Sequence, residues 1–590
     1  MSRIKAGLVS GVWVLALFVA LLGVVLKVPV VRASGTIYIR ADGSIEGTTY
    51  IHSDDNVTYV FIADINDSIV VERSNITIDG NGYAVQGSGS GYGFYLSNMN
   101  NVTIKNTNIN AFYCGIFLNY SSNNNSLIGN SMTNNWYSVL IVNYSSYNSI
   151  IGNSIMNNAE GIFLEWSSNN NISRNNITNS RGWCGFGVGF EGSSNNTVAE
   201  NTMTNNIYGV ALGRSSYNSI SGNNVTANDK GIRLYAAPYN NLSGNSVATN
   251  EIGVIVYGSR YNIFRNNSMI GNSVNFDIDD EPIYDRYYSY IQDIDASNTL
   301  DNKPMYYWIN RQNMQVPSDA GFVALIDSYN ITVGGLELRN NTYGLLLLNT
   351  NSSEIKNNTI TNNTCGAIVF GSSGNNRFYR NDFIDNIFWG TSAQMIIQSG
   401  YRNFLDGNYW SDYNGTDSNG DGIGDTPYII KYLSDIYGRD CYPLIAPYGV
   451  DSTHPLIGVP SREPSSDVQP DQSVKVLVNI TDIISGVKNA TLSYTIDNGS
   501  IWIDLFMNLN SSNNLYEVTI PAQQAGKTVR FKIVAYDYAG NNATLDGTQP
   551  YCVYQVVPEF SSFLILPLFM MATLPVVIAY RRKRSKSFRE

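Results

Sequence analysis

One short segment places oxygen-bearing residues at a spacing that suits a hard metal ion. In DSNGDGIGD, the side chains of Asp417, Asn419, Asp421 and Asp425 stand at positions 1, 3, 5 and 9, and the carbonyl of Ile423 stands at position 7. Oxygen ligands at this spacing, with a glycine at the sharp turn, are those that Ca²⁺ prefers. The segment predicts a structural calcium site that holds its part of the chain in place.

This segment is similar to the calcium loops of thrombospondin-type and dockerin-type domains. It departs from an EF-hand, because position 12 holds Tyr428 where an EF-hand has a bidentate Glu. A turn of Asp, Asn and Gly without an ion is the alternative.

A second segment concentrates acidic side chains. Polysaccharide lyases and glycosidases use paired acids, or calcium with an Arg or Lys base, and Arg286, Lys303 and Arg311 accompany the acids here. A solvated structural loop is the preferred interpretation, and a calcium-dependent lyase or glycosidase is the alternative. The acids are Asp277, Asp279, Asp280, Glu281, Asp285, Asp293, Asp295 and Asp301.

Aromatic side chains recur at fixed positions of a repeat. Flat aromatic faces spaced along a rod could stack on sugar rings, and packing between turns is the alternative. Tyr217, Tyr239 and Tyr261 occupy one turn position in successive repeats, and Trp166, Tyr235 and Tyr257 occupy outward strand positions. We therefore predict a carbohydrate-binding surface at these six residues.

Several kinds of chemistry are disfavoured. The two histidines, His52 and His454, are far apart in sequence, and the five cysteines form no CxxC pair. This argues against His-based triads and zinc ribbons. The net charge of −11, with charged residues at only 14%, argues against a nucleic-acid partner.

The elements that carry these residues are predicted by a repeat of about 22 to 24 residues. Apolar residues alternate at strand period within segments of a few residues, and Asn, Ser and Gly separate the segments. The repeat predicts an all-β chain with a right-handed parallel β-helix of about a dozen coils. Asn153, Asn201, Asn223 and Asn245 are expected at coil corners, in left-handed geometry and in an amide ladder. The repeat glycines are Gly93, Gly115, Gly161, Gly185, Gly209, Gly231, Gly253, Gly344, Gly366 and Gly390.

The domain boundaries follow from changes in this pattern. Residues 34–74 are predicted to cap the β-helix, which runs over 75–447 with an excursion at 277–321 and the calcium-type loop at 417–425. Residues 451–556 contain alternating strands that predict an antiparallel β-sandwich. The ending VAYDYAGN resembles Ig-like or fibronectin-like domains of prokaryotic surface proteins.

The two ends predict an exported, membrane-anchored protein. Residues 1–33 read as a signal peptide with a helical apolar segment, and an uncleaved anchor is the alternative. Residues 558–580 are long and apolar enough for a transmembrane helix, and the basic tail 581–590 is expected in the cytoplasm. The tripeptide Pro558-Glu559-Phe560 before the span resembles an archaeal PEF-type sorting signal, which implies possible exchange of the span for a lipid. About two dozen Asn-x-Ser/Thr sequons suit a glycosylated outer surface.

Three motifs together resemble the NosD-type β-helix proteins of archaea and bacteria. They are the coil GNSIMNNAEGIFLEWSSNN, the excursion SNTLDNKPMYYWIN and the closing segment GNYWSDYNGTDSNGDGIGDTPY. The resemblance implies copper binding, but Met132, Met156, Met203 and Met269 lie in separate repeats and are expected to fill the core. A non-catalytic rod that binds glycans or forms part of the envelope is preferred. The alternatives are the polysaccharide-degrading enzyme and a copper accessory protein.

Overall fold

The structure is a computed structural model that describes residues 35–279, 288–388, 391–418, 421–432, 435–448, 453–482, 486–537 and 540–557. These residues form two compact units. The described part of unit 1 lies within Met1–Leu405 and Ile429–Arg439, and that of unit 2 within Asp406–Tyr428 and Asp440–Glu590. The predicted signal peptide, the span 558–580 and the tail 581–590 lie outside the described residues. Within the described ranges, no helix has the length and apolar character needed to cross a membrane.

The first part of unit 1 is a stack of short strands. In chain order they are β1 Ile37–Ile39, β2 Ile45–Glu46, β3 Ile51–His52, β4 Thr58–Phe61, β5 Ile69–Val71, β6 Thr77–Asp79, β7 Ala84–Gln86, β8 Tyr92–Ser97, β9 Thr103–Lys105, β10 Asn108–Asn110, β11 Cys114–Asn119, β12 Ser126–Ile128, β13 Ser131–Thr133, β14 Tyr137–Val142, β15 Ser149–Ile151, β16 Ser154–Met156, β17 Glu160–Glu165, β18 Asn171–Ser173, β19 Asn176–Thr178, β20 Phe186–Glu191, β21 Thr197–Ala199, β22 Thr202–Thr204, β23 Tyr208–Gly213, β24 Ser219–Ser221, β25 Asn224–Thr226, β26 Lys230–Tyr235, β27 Asn241–Ser243, β28 Ser246–Ala248, β29 Ile252–Tyr257, β30 Ile263–Arg265, β31 Ser268–Ile270, β32 Val274–Asp279, β33 Asp293–Ile294 and β34 Thr299–Leu300. A short 3₁₀ turn, Tyr288–Tyr290, precedes β33.

Every third strand stacks on its counterpart in the next coil, which confirms the predicted parallel β-helix. Sheet A runs from β2 and β1 through β5, β8 and β11 to β32, and sheet B from β3 and β4 to β33. A third sheet contains β7, β10 and so on to β34. Alternate residues point inward, so the predicted interior pairs, such as Ile116 and Leu118 or Ile162 and Leu164, are fully buried. Burial of these apolar side chains makes the main favourable contribution to the stability of the solenoid.

Glycine at the second position of most of the six-residue sheet A strands permits a close approach between coils. A Cβ at Gly187 would lie 2.6 Å from the carbonyl oxygen of Gly209 in the next coil, which is too close for any other residue without a backbone shift. The sequence spacing predicts Gly185 at this position, and that prediction is wrong. Ile162 pairs with Val188, so Gly187 is the counterpart of Gly161. Likewise Ala367 pairs with Met395, so Gln394 and not Gly390 follows Gly366.

Buried asparagines form the predicted amide ladders. Asn201 Nδ2 donates to Asn223 Oδ1 at 3.0 Å, and Asn223 Nδ2 donates to Asn245 Oδ1 at 2.9 Å. The expectation of left-handed backbone at these asparagines is wrong, because the preceding residue takes that conformation, as at Glu200 and Gly222 with φ of 56° and 63°. The turn at the preceding residue aims the asparagine amide along the stack axis.

The second part of unit 1 begins with a reversal of chain direction. β34 pairs antiparallel with β35, and β35 then pairs in parallel with β37, β37 with β40, β40 with β43, and β43 with β48. The predicted excursion 277–321 thus contains strands that continue the sheets. The strands of this part are β35 Lys303–Ile309, β36 Gln312–Gln315, β37 Phe322–Ile326, β38 Tyr329–Gly334, β39 Glu337–Arg339, β40 Tyr343–Leu348, β41 Glu354–Lys356, β42 Thr359–Thr361, β43 Cys365–Gly371, β44 Arg377–Tyr379, β45 Asp382–Ile384, β46 Ile387–Phe388, β47 Thr391–Ser392, β48 Met395–Ser399, β49 Phe404–Asp406, β51 Tyr428–Tyr432 and β52 Asp435–Asp440. Between β49 and β51, strand β50 Tyr409–Trp410 falls within unit 2.

Unit 2 contains an antiparallel β-domain. Its strand β58 pairs with β57 through residues 503–507 and with β59 through residues 508–510, so one strand joins two layers around a shared core that includes Val476, Leu492 and Phe531. The strands are β53 Leu456–Ile457, β54 Ser461–Glu463, β55 Val474–Val478, β56 Ile480–Thr481, β57 Val487–Thr495, β58 Ile503–Asn510, β59 Leu515–Ile520, β60 Thr528–Asp537, β61 Asn542–Leu545 and β62 Val553–Gln555, with a 3₁₀ turn at Pro550–Cys552.

Candidate functional site on sheet A

The predicted calcium loop is a turn whose carboxylates accept hydrogen bonds from nearby donors. Asp417 accepts from the N–H groups of Asp421 and Gly422, and Asp425 accepts from Thr416 Oγ1 and from the N–H and hydroxyl of Ser418. These bonds, the Ser418 hydroxyl first, lower the pKa of Asp425. Asn419 lies outside the described residues, and Ile423 bridges to Leu444. Oxygen donors of this kind suit Ca²⁺, so calcium at this loop stays a prediction.

Calcium is expected to stabilise the protein through this loop. When Ca²⁺ is added to chelator-treated full-length protein at about 100 times its Kd, the free energy of unfolding should rise by about 2.7 kcal/mol. The double variant Asp417→Asn, Asp421→Asn keeps acceptors for the turn but removes charge, and it should lose most of this gain. Thermal unfolding with and without Ca²⁺ measures the effect, and exposed Asp504→Asn is the control. An equal calcium response in the double variant would exclude the loop.

The described acidic side chains of this segment form ion pairs and hydrogen bonds with neighbouring residues. Arg265 pairs with Asp293 at 2.6 Å and with Asp295 at 3.3 Å, and Lys303 pairs with Glu337 at 2.8 Å. Asp277, Asp279 and Asp301 accept hydrogen bonds from Thr342, Tyr290 and Gly271 respectively. Asp280, Glu281, Asp285 and Arg286 lie outside the described residues. These contacts are structural, and the bond from Thr342 to Asp277 joins the two parts of unit 1.

The predicted tyrosine column forms a stack. The Tyr217 and Tyr239 rings lie 5.2 Å apart at 5°, and the Tyr239 and Tyr261 rings 5.3 Å apart at 24°. Tyr235 and Tyr257 stack in the same manner at 5.8 Å. The rings face one another along the rod, so they present mainly edges and hydroxyl groups to solvent.

Two glutamates lie side by side near these rings on the outer face of sheet A. Glu165 ends β17 and Glu191 ends β20, and the two are direct register partners. Neighbouring strands lie about 4.8 Å apart, so both side chains leave the sheet at adjacent points. In the next coil the register partner of Glu191 is Gly213, where a Cβ would collide with Glu191 Oε2. The glycine leaves room for the carboxylate to lean along the rod.

Two arginines flank the glutamate pair from later coils. Arg214 NH1 lies 3.6 Å from Glu191 Oε1, beyond hydrogen-bond distance, and this buried oxygen has no hydrogen bond from any described residue. Arg233 lies over the rings of Tyr208 and Tyr235, 5.5 and 4.9 Å from their centroids. Burial raises the pKa of Glu165. Burial and the charge of Glu165 also raise the pKa of Glu191, while the charges of Arg214 and Arg233 oppose that rise.

The repeat is broken at this place. The ladder step from Asn170 to Asn196 covers 26 residues, whereas the next step, from Asn196 to Asn218, covers 22. The extra residues form a loop in which Trp183 is 65% exposed to solvent. Ser180 replaces an asparagine in one ladder, and its buried hydroxyl has no partner among the described residues. A local departure from an otherwise regular pattern is typical of functional sites.

A buried carboxylate holds this loop on the face of sheet A. Glu160 accepts hydrogen bonds from the N–H groups of Cys184, Gly185 and Phe186 at 2.8 to 3.1 Å. Burial raises the pKa of Glu160, and these donors oppose the rise. Burial and the Glu160 charge raise the pKa of the Cys184 thiol to about 12, so this cysteine is not an activated nucleophile.

Three of the six residues predicted from the sequence lie at this candidate site. Trp166, one of the six predicted residues, is 49% exposed and packs its ring on Gly192 beside Glu191. Tyr235 and Tyr257 lie in the same column as Glu165 and Glu191. The glutamates, Arg214, Arg233 and Trp183 were missed. The available signal was the coil length, because aligning Gly187 with Gly161 puts both glutamates at the same repeat position.

The described residues do not fit a copper site. No group of three or more His, Cys, Asp or Glu within the described ranges is arranged to hold a metal ion. Met132, Met203 and Met269 fill the core as predicted. For Met156 the prediction is wrong, because inward-facing Ile155 precedes it and the methionine points to solvent. All five cysteines are free, and the exposed His52 pairs with the exposed Asp54 at 2.9 Å.

Comparison with known proteins places the chain in a family. Residues 31–207, 183–303 and 309–415 match the family described as periplasmic copper-binding protein (NosD). A probable ABC transporter binding protein NosD of Pseudomonas aeruginosa is 27% identical over 144 residues, 20% of this chain and 33% of that protein. The match thus spans about a third of that relative's length.

Two solved structures are similar to the chain at low identity. The periplasmic alginate epimerase AlgG has a TM-score of 0.33 and 16% identity, with 51% of this chain and 79% of that chain covered. The tailspike protein of E. coli bacteriophage HK620, in complex with a pentasaccharide, has a TM-score of 0.30 and 10% identity, with 81% and 82% covered. Because the family match extends over more than half of the sequence, this chain belongs to the NosD family.

Proposed function

We propose that the protein is an exported surface β-helix that binds polysaccharide on the outer face of sheet A, between β17 and β29. The observation that carries this proposal is the presence of exposed indoles, carboxylates and guanidinium groups on sheet A, in the coils around the place where the repeat is broken. The exposed indoles are Trp166 and Trp183, and the charged groups are Glu165, Glu191, Arg214 and Arg233.

The chemistry of this face suits a sugar polymer. Indole faces bury the apolar faces of sugar rings, and carboxylate and guanidinium groups hydrogen-bond to hydroxyls in fixed directions. The stacked rings of Tyr217, Tyr239 and Tyr261 add edges and hydroxyl groups on the neighbouring corner. A solenoid repeats such contacts along its axis, which matches the repeating units of a polysaccharide.

In this proposal the surface lies outside the cell. The predicted signal peptide exports it, and the predicted span, or a lipid that replaces the span, retains it at the membrane. Unit 2 acts as a spacer, and calcium stabilises the loop at 417–425. The family description is periplasmic, which also corresponds to an extracytoplasmic location.

Binding should depend on the two exposed tryptophans. Trp183→Ala and Trp166→Ala are each expected to weaken polysaccharide binding at least about tenfold, because aromatic residues at binding hot spots contribute about 2 kcal/mol or more. Affinity electrophoresis of the full-length protein in gels that contain glucan, mannan, galactan, xylan, alginate or pectin measures the change. Tyr50→Ala, which removes another exposed ring, is the control.

Two outcomes contradict the proposal. If the protein binds none of the polysaccharides, the proposed binding function is wrong. If both tryptophan variants bind as the wild type does, the binding site does not lie on sheet A. A calcium-dependent lyase at the acidic segment 277–301 is a weaker candidate because of the ion pairs described above. A copper accessory role is disfavoured by the donor set of the described residues.

A further inference from the structure

We infer that the end of unit 2 at which the chain leaves the β-domain rests on the surface of a phospholipid bilayer. Ile501, Trp502 and Ile503 lie at this end, and they enter the boundary between the lipid headgroups and the acyl chains. This contact depends on the membrane anchoring in the proposed function and adds a second attachment to it. It gives the β-domain a defined orientation on the membrane, which a tether alone does not provide.

The chain leaves unit 2 close to the predicted span. The N–H of Val557 donates to the carbonyl of Val468, which fixes the last described residue on this end of the domain. Phe560, in the apolar sequence of the predicted span, follows Val557 by three residues. Three extended residues reach about 10 Å at most, and the headgroup region of one leaflet is about 5 to 8 Å thick. In an anchored protein, this end of unit 2 therefore lies next to the bilayer.

The loop between β57 and β58 lies at the same end. Arg530 of β60 pairs with Val553 of β62 on one side and with Thr495 of β57 on the other. From this level β62 continues to Gln555 and β57 continues into the loop 496–502, in the same direction. Two strand spacings, about 10 Å, separate β62 from β57 across the sheet. The loop therefore faces the bilayer when the end of the described chain does.

This loop presents apolar side chains on a hydrogen-bonded turn. Ile501 is 67% exposed and Ile503 is 45% exposed. Asp497 Oδ1 accepts the Ile501 N–H at 3.0 Å and the Thr495 hydroxyl at 2.6 Å, so the acid of the loop holds the turn. A preorganised loop loses little conformational entropy when it binds, and burial of the two isoleucines among acyl chains is favourable.

Trp502 and two lysines at this end have the character of residues at a membrane surface. Lys532 Nζ lies 4.7 Å from the centroid of the Trp502 ring, and Lys527 follows the uncharged loop 521–526. Tryptophan is enriched at membrane–water interfaces, and lysine side chains extend their ammonium groups toward lipid headgroups. The loop 464–473 carries two aspartates that offset this positive charge. Apolar contact, more than net charge, therefore favours the bilayer.

The experiment uses the full-length protein, reconstituted into vesicles of phosphatidylcholine and phosphatidylglycerol. Part of the phosphatidylcholine carries bromine on its acyl chains, which quenches tryptophan fluorescence at short range. The difference between the emission of the wild type and that of Trp502→Phe gives the emission of Trp502. The brominated lipid is expected to remove most of this emission.

The two isoleucines should control the contact. The double variant Ile501→Asp, Ile503→Asp is expected to restore the Trp502 emission in brominated vesicles, and Ile501→Asp alone should restore part of it. Leu509→Asp is the matched control, because Leu509 is 54% exposed on the same strand and lies about 20 Å along it from Ile503. Quenching should be unchanged in this control. Equal thermal midpoints of the variants and the wild type show that lost quenching does not reflect unfolding.

The outcomes separate the lipid contact from the anchoring. Protein that does not float with the vesicles in a density gradient overturns the proposed anchoring and the contact together. Protein that floats, with Trp502 unquenched or quenched equally in all variants, overturns the contact and leaves the anchoring intact. Cross-linking between copies that the isoleucine substitutions abolish, in the absence of quenching, would identify a second copy of the chain as the occupant and would also overturn the contact.

Discussion

Replacing Asp440 with alanine is expected to lower the stability of unit 2 by roughly 3 to 5 kcal/mol, as for other buried charged groups that lose one partner. Asp440 is fully buried and accepts hydrogen bonds from the N–H of Gly407, the N–H and amide of Asn408, the indole of Trp410 and the N–H of Tyr442 at 2.9 to 3.2 Å. Without the carboxylate the buried donors of Asn408 and Trp410 lose this acceptor, and an unsatisfied buried donor costs about 1 to 3 kcal/mol.

Hydrogen exchange of residues 406–428 measures this effect locally, because it reports the opening of the segment that Asp440 holds. Asp440→Asn should have an intermediate effect, since its single oxygen keeps part of the acceptor capacity and its NH₂ group faces other donors. Asp504→Ala, at an exposed position of the same unit, should leave exchange unchanged. Equal exchange in Asp440→Ala and Asp504→Ala would show that the carboxylate does not hold the segment.

The Asp440 carboxylate also gives a physical reason for the closing motif, which the sequence analysis could only compare with a family. In the closing segment GNYWSDY, Asn408 and Trp410 both donate to Asp440, which lies thirty or more residues further along the chain. The Trp410 ring stacks on Tyr428 at 4.3 Å. Such long-range partners leave no periodic signal in the sequence. The motif could therefore be matched to a family from the sequence, but the reason for its residues is visible only in the structure.

The solenoid itself was predictable because its signal is local and repeated. Strand-period alternation sets which residues enter the core, and the recurrence of Asn predicts the ladders. The candidate site was not predictable in the same way, because it lies where the repeat changes length. A fixed period of 22 to 24 residues assigns Gly185 to the wrong position and hides the register match between Glu165 and Glu191. The aromatic residues were identified by spacing, but the mutual stacking of their rings depends on coil geometry.

The stability of unit 1 is expected to fall as the pH rises from about 4 to about 6, owing to Asp277. Burial raises the pKa of this carboxyl from 3.8 to about 6, with a smaller contribution from the charge of Asp279, and the Thr342 hydroxyl opposes the rise. A folded state with the higher pKa binds more protons, so it loses stability as the carboxyl ionises. At about 1.36 kcal/mol per pH unit, the loss is roughly 3 kcal/mol at neutral pH.

Asp277→Asn should therefore be more stable than the wild type at pH 7 and similar to it at pH 4. The asparagine oxygen can still accept the Thr342 hydroxyl, which donates to Asp277 Oδ1 at 2.7 Å. Urea unfolding at pH values from 4 to 8 measures the difference between the two curves. Asp293→Asn, which removes a surface pair with Arg265 at 2.6 Å, should shift stability by less than about 1 kcal/mol.

The position of Asp277 makes this effect a property of the junction within unit 1. The two residues that precede Asp277 are bonded to the second part of the solenoid, because the Asn275 N–H donates to the Asn340 carbonyl and the Thr342 N–H donates to the Phe276 carbonyl. Ionisation of the buried carboxyl should therefore weaken this junction first, and hydrogen exchange at Thr342 should accelerate between about pH 4 and about pH 6 by more than the intrinsic exchange rate in the wild type only. Parallel stability curves for the wild type and Asp277→Asn would show that Asp277 does not titrate within the junction.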